Sequence, residues 1–138
     1  MRLQLRMMVA LGLFAATLAA AAPATSGVRP IQVPGTYSNL QYNEEGGDLL
    51  GIEIKVVPVV GGRMQAAVLV SEGEPAPLVI ADVHVSDNAI SFKVPENANE
   101  SWTFRGVVRL GSLRGTITYA SGRKEEVTLQ RRCGYWDH

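Results

Sequence analysis

From Gly35 onward the apolar residues of this chain recur at every second position rather than at the helical period of about 3.6, and that rhythm restricts it to antiparallel sheet. Leu50, Ile52, Ile54 and Val56 alternate with Gly51, Glu53, Lys55 and Val57. Val79, Ala81, Val83 and Val85 repeat the pattern, as do Ile90, Phe92 and Val94, then Trp102 and Phe104, then Leu113, Ile117 and Tyr119. Successive side chains on a strand point to opposite faces, so each run offers one face to a core and one to water.

Turn residues punctuate these runs: Glu44 to Asp48, Gly61-Gly62, Glu72 to Pro75, Asp87-Asn88, Pro95 to Glu100, Gly111-Ser112 and Ala120 to Gly122. Glycine and asparagine tolerate the positive φ that tight hairpins require. No gap is long enough for a crossover helix, so strands consecutive in sequence are neighbours in the sheet. The expectation is an all-β, up-and-down meander of about eight strands that buries its apolar face by closing into a small barrel. A two-sheet β-sandwich is the alternative. Pro58, inside an otherwise good strand, marks a bulge or an edge.

Residues ahead of the sheet have a different character. Arg2 and Arg6 precede an apolar run from Met7 to Ala20, about 14 residues against the roughly 20 a membrane-spanning helix needs. Ala-rich residues follow, which completes the layout of a secretory signal peptide over residues 1–21. Pro23, Pro30 and Pro34 make residues 22–34 an extended leader, and residues 35–138 form one domain of ordinary size. The expected destination is the periplasm or the medium. Loss of Arg2 and Arg6 leaves 11 basic against 13 acidic residues, a balance without the basic stripe that nucleic-acid binding needs. The mature chain has no amphipathic helical run for a membrane surface and no apolar run to span one. Cys133 is the single cysteine, so no internal disulfide staples the domain.

Gly35-Thr36-Tyr37 at the first strand, Trp102-Thr103-Phe104-Arg105-Gly106 and Leu113-Arg114-Gly115-Thr116 give a glycine rhythm that resembles small calycin-type barrels, the lipocalin and avidin group, in architecture. Tyr37 stands where lipocalins carry the Trp of a Gly-x-Trp, and the biotin-binding runs of avidins are absent. The resemblance implies a closed barrel and, by analogy, a binding role.

Candidate chemistry is sparse. Gly111-Ser112-Leu113-Arg114-Gly115 misplaces the serine for a nucleophile elbow, and no helix follows it. His84 on a wet face and His138 at the end are the only imidazoles, and with Cys133 they do not make a zinc set. Asn43, Glu44, Glu45 and Asp48 read as a hairpin turn rather than a calcium loop. No enzymatic activity and no metal or cofactor is expected.

Aromatic residues are the remaining candidates. Phe92, Trp102, Phe104 and Tyr119 fall on the inner face, either as core or as the lining of a ligand cavity beside Ala66, Ala81, Gly106 and Gly115. Tyr37, Tyr42, Tyr135 and Trp136 lie nearer the ends of the domain, as lids of the barrel or as anchors for a partner. Arg131 and Arg132 could tie the chain end to Glu44, Glu45 or Asp48. The functional expectation is an exported binding protein that holds a small or apolar ligand in or at the mouth of the barrel. The alternative is a module that binds an envelope or secreted protein, such as an inhibitor of a secreted hydrolase.

Overall fold

A computed structural model describes residues 30–95 and 100–132. The strands are β1 (Gly35–Ser38), β2 (Gln41–Asn43), β3 (Asp48–Val59), β4 (Arg63–Gly73), β5 (Val79–Ser86), β6 (Ala89–Val94), β7 (Trp102–Arg109), β8 (Ser112–Tyr119) and β9 (Lys124–Arg131). Each of β3 to β9 pairs antiparallel with its sequence neighbour, and β1 pairs with both β3 and β9. The ring β1-β3-β4-β5-β6-β7-β8-β9 is therefore a closed eight-stranded barrel, and β2 is an extra strand paired to the start of β3. The expected meander is borne out. The sheet leaves no unpaired edge except where β2 and the strand ends project.

Carrying each ladder's register once around the ring from Tyr37 returns to β1 about ten residues further along, a stagger that tilts the strands by roughly 40°. Barrels of eight strands are narrow enough for side chains to fill. Here the filling comes from the expected residues: Ile52, Ile54, Val56, Ala81, Val83, Ile90, Phe92, Val94, Trp102, Phe104, Leu113 and Ile117 are all buried.

One expectation fails. Leu50 is 49% exposed, whereas Leu49 is buried against Leu40 and Leu69 in a small second cluster. The apolar side changes at Gly51, whose φ of 118° is reserved for glycine. The register of β3 against β4 runs unbroken through Gly51, so Leu49 shares the outer side of Glu53 and Leu69, and there that side is the covered one. Asn39 bonds β3 at this point. Its Oδ1 accepts the Ile52 N–H at 2.7 Å and its N–H bonds the Ile52 carbonyl at 3.1 Å, so a side chain interrupts the ladder between β1 and β2. A Cβ on Gly51 would lie 2.9 Å from the Asn39 carbonyl oxygen. Pro58 lies past the end of β1, so β3 has a free edge there, as its proline suggested.

The barrel closes through a short seam. β1 and β9 share two register pairs, Tyr37 with Arg131 and Ser38 with Gln130. Arg131 donates to the carbonyls of Gln32 (2.8 Å) and Pro34, and Arg132 to the carbonyl of Leu40 (2.6 Å) and to Ser38 Oγ (3.3 Å). The two arginines thus clasp backbone carbonyls, not the acidic hairpin turn expected from sequence. Residues 32–34, the end of the expected leader, are held to the barrel by these bonds, and Val33 is buried.

Candidate functional site

The register gathers Phe92, Trp102, Phe104 and Tyr119 into one inner patch, with Phe92 opposite Phe104 and Trp102 opposite Tyr119. The Phe92 and Phe104 rings stack at 5.2 Å, and Trp102 tilts against Phe92 at 6.0 Å. Phe104 also covers a pair of facing glycines, Gly106 and Gly115. A Cβ on Gly115 would come within 2.5 Å of Phe104 Cζ, and one on Gly106 within 2.7 Å of the same atom. Small inward residues that could have left room for a ligand are instead the seat of an aromatic ring. Phe104 is fully buried, and this part of the interior is solid.

Tyr119 is the last residue of β8, half-buried against the core. Its hydroxyl donates to Glu125 (2.9 Å), and the Arg123 guanidinium sits 3.6 Å from its ring centre. Burial, then the neighbouring Glu125 carboxylate, pushes its hydroxyl pKa up. Tyr37 is fully buried and donates to the Val33 carbonyl at 2.7 Å. Burial raises its pKa, and the Arg131 charge acts against that rise. It is part of the main core cluster, so its burial excludes the reading of an anchor exposed to a partner. Tyr42 is 64% exposed on β2. Tyr135 and Trp136, with Cys133, lie outside the described residues.

The outer face of the same strands is different. His84, Ser91, Arg105, Thr116 and Glu126 occupy one cross-strand row from β5 to β9, each the register partner of the next. With Arg114 they border an outward-opening groove of about 500 Å³ that runs behind Gly106 and Gly115. The Thr116 hydroxyl donates to Glu126 at 2.6 Å, which orients that carboxylate. Arg105 and Arg114 are exposed, and neither has a carboxylate partner among the described residues. Ala89 and Val107 add apolar wall between the charges. A second concavity, of about 440 Å³, lies between Asp82 and Lys93 and borders Pro95.

Sequence reasoning missed this groove. Alternation places His84 on the outer face, but its alignment with Arg105 and Glu126 depends on the register of four separate ladders. Period-two alternation identifies the outer residues of each strand and says nothing of which stand side by side. Among the described residues, no group of three His, Cys, Asp or Glu is placed to hold a metal ion, and no helix is long and apolar enough to cross a membrane. Comparison with protein-family models, with curated proteins and with solved structures finds no match to this chain.

Proposed function

We propose that this protein is a binding module that works through the outside of its barrel. The groove across β5 to β9 receives a carboxylate-bearing segment of a protein partner. The observation that carries this reading is the exposure of two guanidinium groups, Arg105 and Arg114, beside a groove with apolar wall, neither of them ion-paired with a carboxylate among the described residues. Arginine forks bind carboxylates through two parallel hydrogen bonds, a geometry that confers specificity as well as attraction. Glu126, held by Thr116, supplies a fixed acceptor at the far end of the row.

An apolar ligand inside the barrel is the less supported reading. It would have to lift Phe104 off Gly106 and Gly115 and separate it from Phe92, undoing contacts of the core itself. With the export expected from the N-terminal residues, the partner belongs to the envelope or the medium, and the reading includes no catalytic step.

Photo-crosslinking tests this. A crosslinker at Ser91, in the groove, is expected to trap one discrete protein from an envelope extract. The same group at Gln65 on β4, outside the groove, should trap none, and Arg105→Glu with Arg114→Glu should abolish the adduct. An adduct indifferent to that charge reversal would reject the groove. A purified protein that carried an apolar molecule released only on unfolding would restore the interior reading.

A further inference from the structure

The hairpin turns alternate between the two ends of the barrel, and the ends differ in charge and in apolar exposure. Turns β3–β4, β5–β6 and β7–β8 share one end with the start of β1 and the finish of β9. That end carries Arg63, Arg109, Arg131 and Arg132 against Asp87, the one acidic residue there among the described residues. Arg131 and Arg132 are bonded to uncharged acceptors, so their charge is not cancelled. At the other end stand Glu44, Glu45, Asp48, Glu72, Glu74, Glu100 and Glu125 against Lys93, Arg123 and Lys124.

Two hairpin tips at the basic end present aliphatic side chains to solvent. Val60 is 96% exposed and Leu110 85%, the highest values among the exposed large apolar residues. Each is followed by glycine at positive φ, Gly61-Gly62 and Gly111, around which no atom lies within 4 Å of an added Cβ. Both tips therefore project from the body of the barrel, and Arg63 and Arg109 flank them.

We propose that the basic end docks on an anionic lipid surface, with Val60 and Leu110 entering the headgroup–acyl boundary and the arginines contacting lipid phosphates. A lone projecting aliphatic group gains by leaving water for any fluid apolar phase and needs no matching pocket. Protein interfaces, by contrast, concentrate their energy in Trp, Tyr and Arg seated in pockets, with Leu and Val under-represented. Cationic side chains near a negatively charged membrane add attraction that falls off within a Debye length. The acidic end provides an internal contrast, because its exposed Tyr42 and Leu50 stand among carboxylates that an anionic surface repels. Docking in this pose leaves the groove of β5 to β9 on the side wall, open to a partner.

Vesicle co-sedimentation of the full chain tests the proposal, using phosphatidylcholine with or without phosphatidylglycerol. The wild type should partition about tenfold more strongly onto the phosphatidylglycerol vesicles, and high salt should remove the difference. Val60→Asp with Leu110→Asp should cut that partition about tenfold or more, while Tyr42→Asp leaves it unchanged. Arg63→Gln with Arg109→Gln provides a second arm if the tip variant melts early. Equal partition onto both vesicles would overturn the proposal, as would an unchanged tip variant, which would assign the contact to another segment such as Met7–Ala20. Failure to sediment together with retention on immobilised polyglutamate would reassign the basic end to an acidic protein.

Discussion

Strands β7 and β8 show two contrasting surfaces on one pair of backbones. Inside, Phe104 rests on Gly106 and Gly115 so closely that neither glycine could accept a methyl group without displacement of its neighbours. Outside, the same stretch carries Arg105, Arg114 and Thr116 around an open groove. The absence of two side chains lets the aromatic ring sit against the sheet, a device that compensates strand glycines with aromatic cover. The lesson is that small inward residues in a narrow barrel do not by themselves signal a cavity. What matters is whether a large neighbour on the same face can lie across them.

The contrast can be broken from the inside first. Phe104→Ala should cost about 3–5 kcal/mol in a urea melt, because it removes the ring that fills the space over both glycines. A variant as stable as the wild type would mean the interior is not solid. Gly115→Ala should cost about 1–3 kcal/mol by overpacking, since its Cβ would press on Phe104 and on the Arg105 carbonyl. Tyr37→Phe is expected to cost about 1 kcal/mol through loss of the bond to Val33. It also sharpens a pH effect. Burial raises the Tyr37 pKa above 10.0, so the unfolded chain ionises first, and the associated stability, complete below that pH, is lost as pH climbs through the folded value. Alkaline melts of Tyr37→Phe should show a shallower decline, the remainder owing in part to Tyr119. The outer face predicts the smallest change in stability: Arg105→Ala should stay within about 0.5 kcal/mol in the same melts. Capture of the partner at the groove should nevertheless fall.

Most of the barrel was legible because a strand with one buried side must alternate, and Ile52, Ile54, Phe92, Phe104 and Ile117 all obey. Leu50 disobeyed although the register continues through Gly51, because Leu40 and Leu69 cover the other side of β3 there and bury Leu49 instead, a contact between residues distant in sequence. The inner aromatic patch was legible as a set of residues but not as a packing arrangement, since whether Phe104 lines a space or fills one depends on ring placement. The groove was not legible, because five strands must be aligned before His84, Arg105 and Glu126 become neighbours. The charge of Arg131 and Arg132 marks them as a tie, yet carbonyl acceptors leave no trace in the identity of the residues that carry them.

The two-pair seam between β1 and β9 has a consequence for how copies of this chain behave at high concentration. Ring closure removes the free strand edges that would otherwise template association, and here that closure rests on Tyr37, Ser38, Gln130 and the clasp of Arg131 and Arg132. If the clasp is cut, the ring becomes an open sheet whose two terminal strands each display unsatisfied amide and carbonyl groups. The β1 of one copy then has a ready acceptor in the β9 of the next, with the native register already encoded, which is the condition for domain-swapped dimers and open-ended chains.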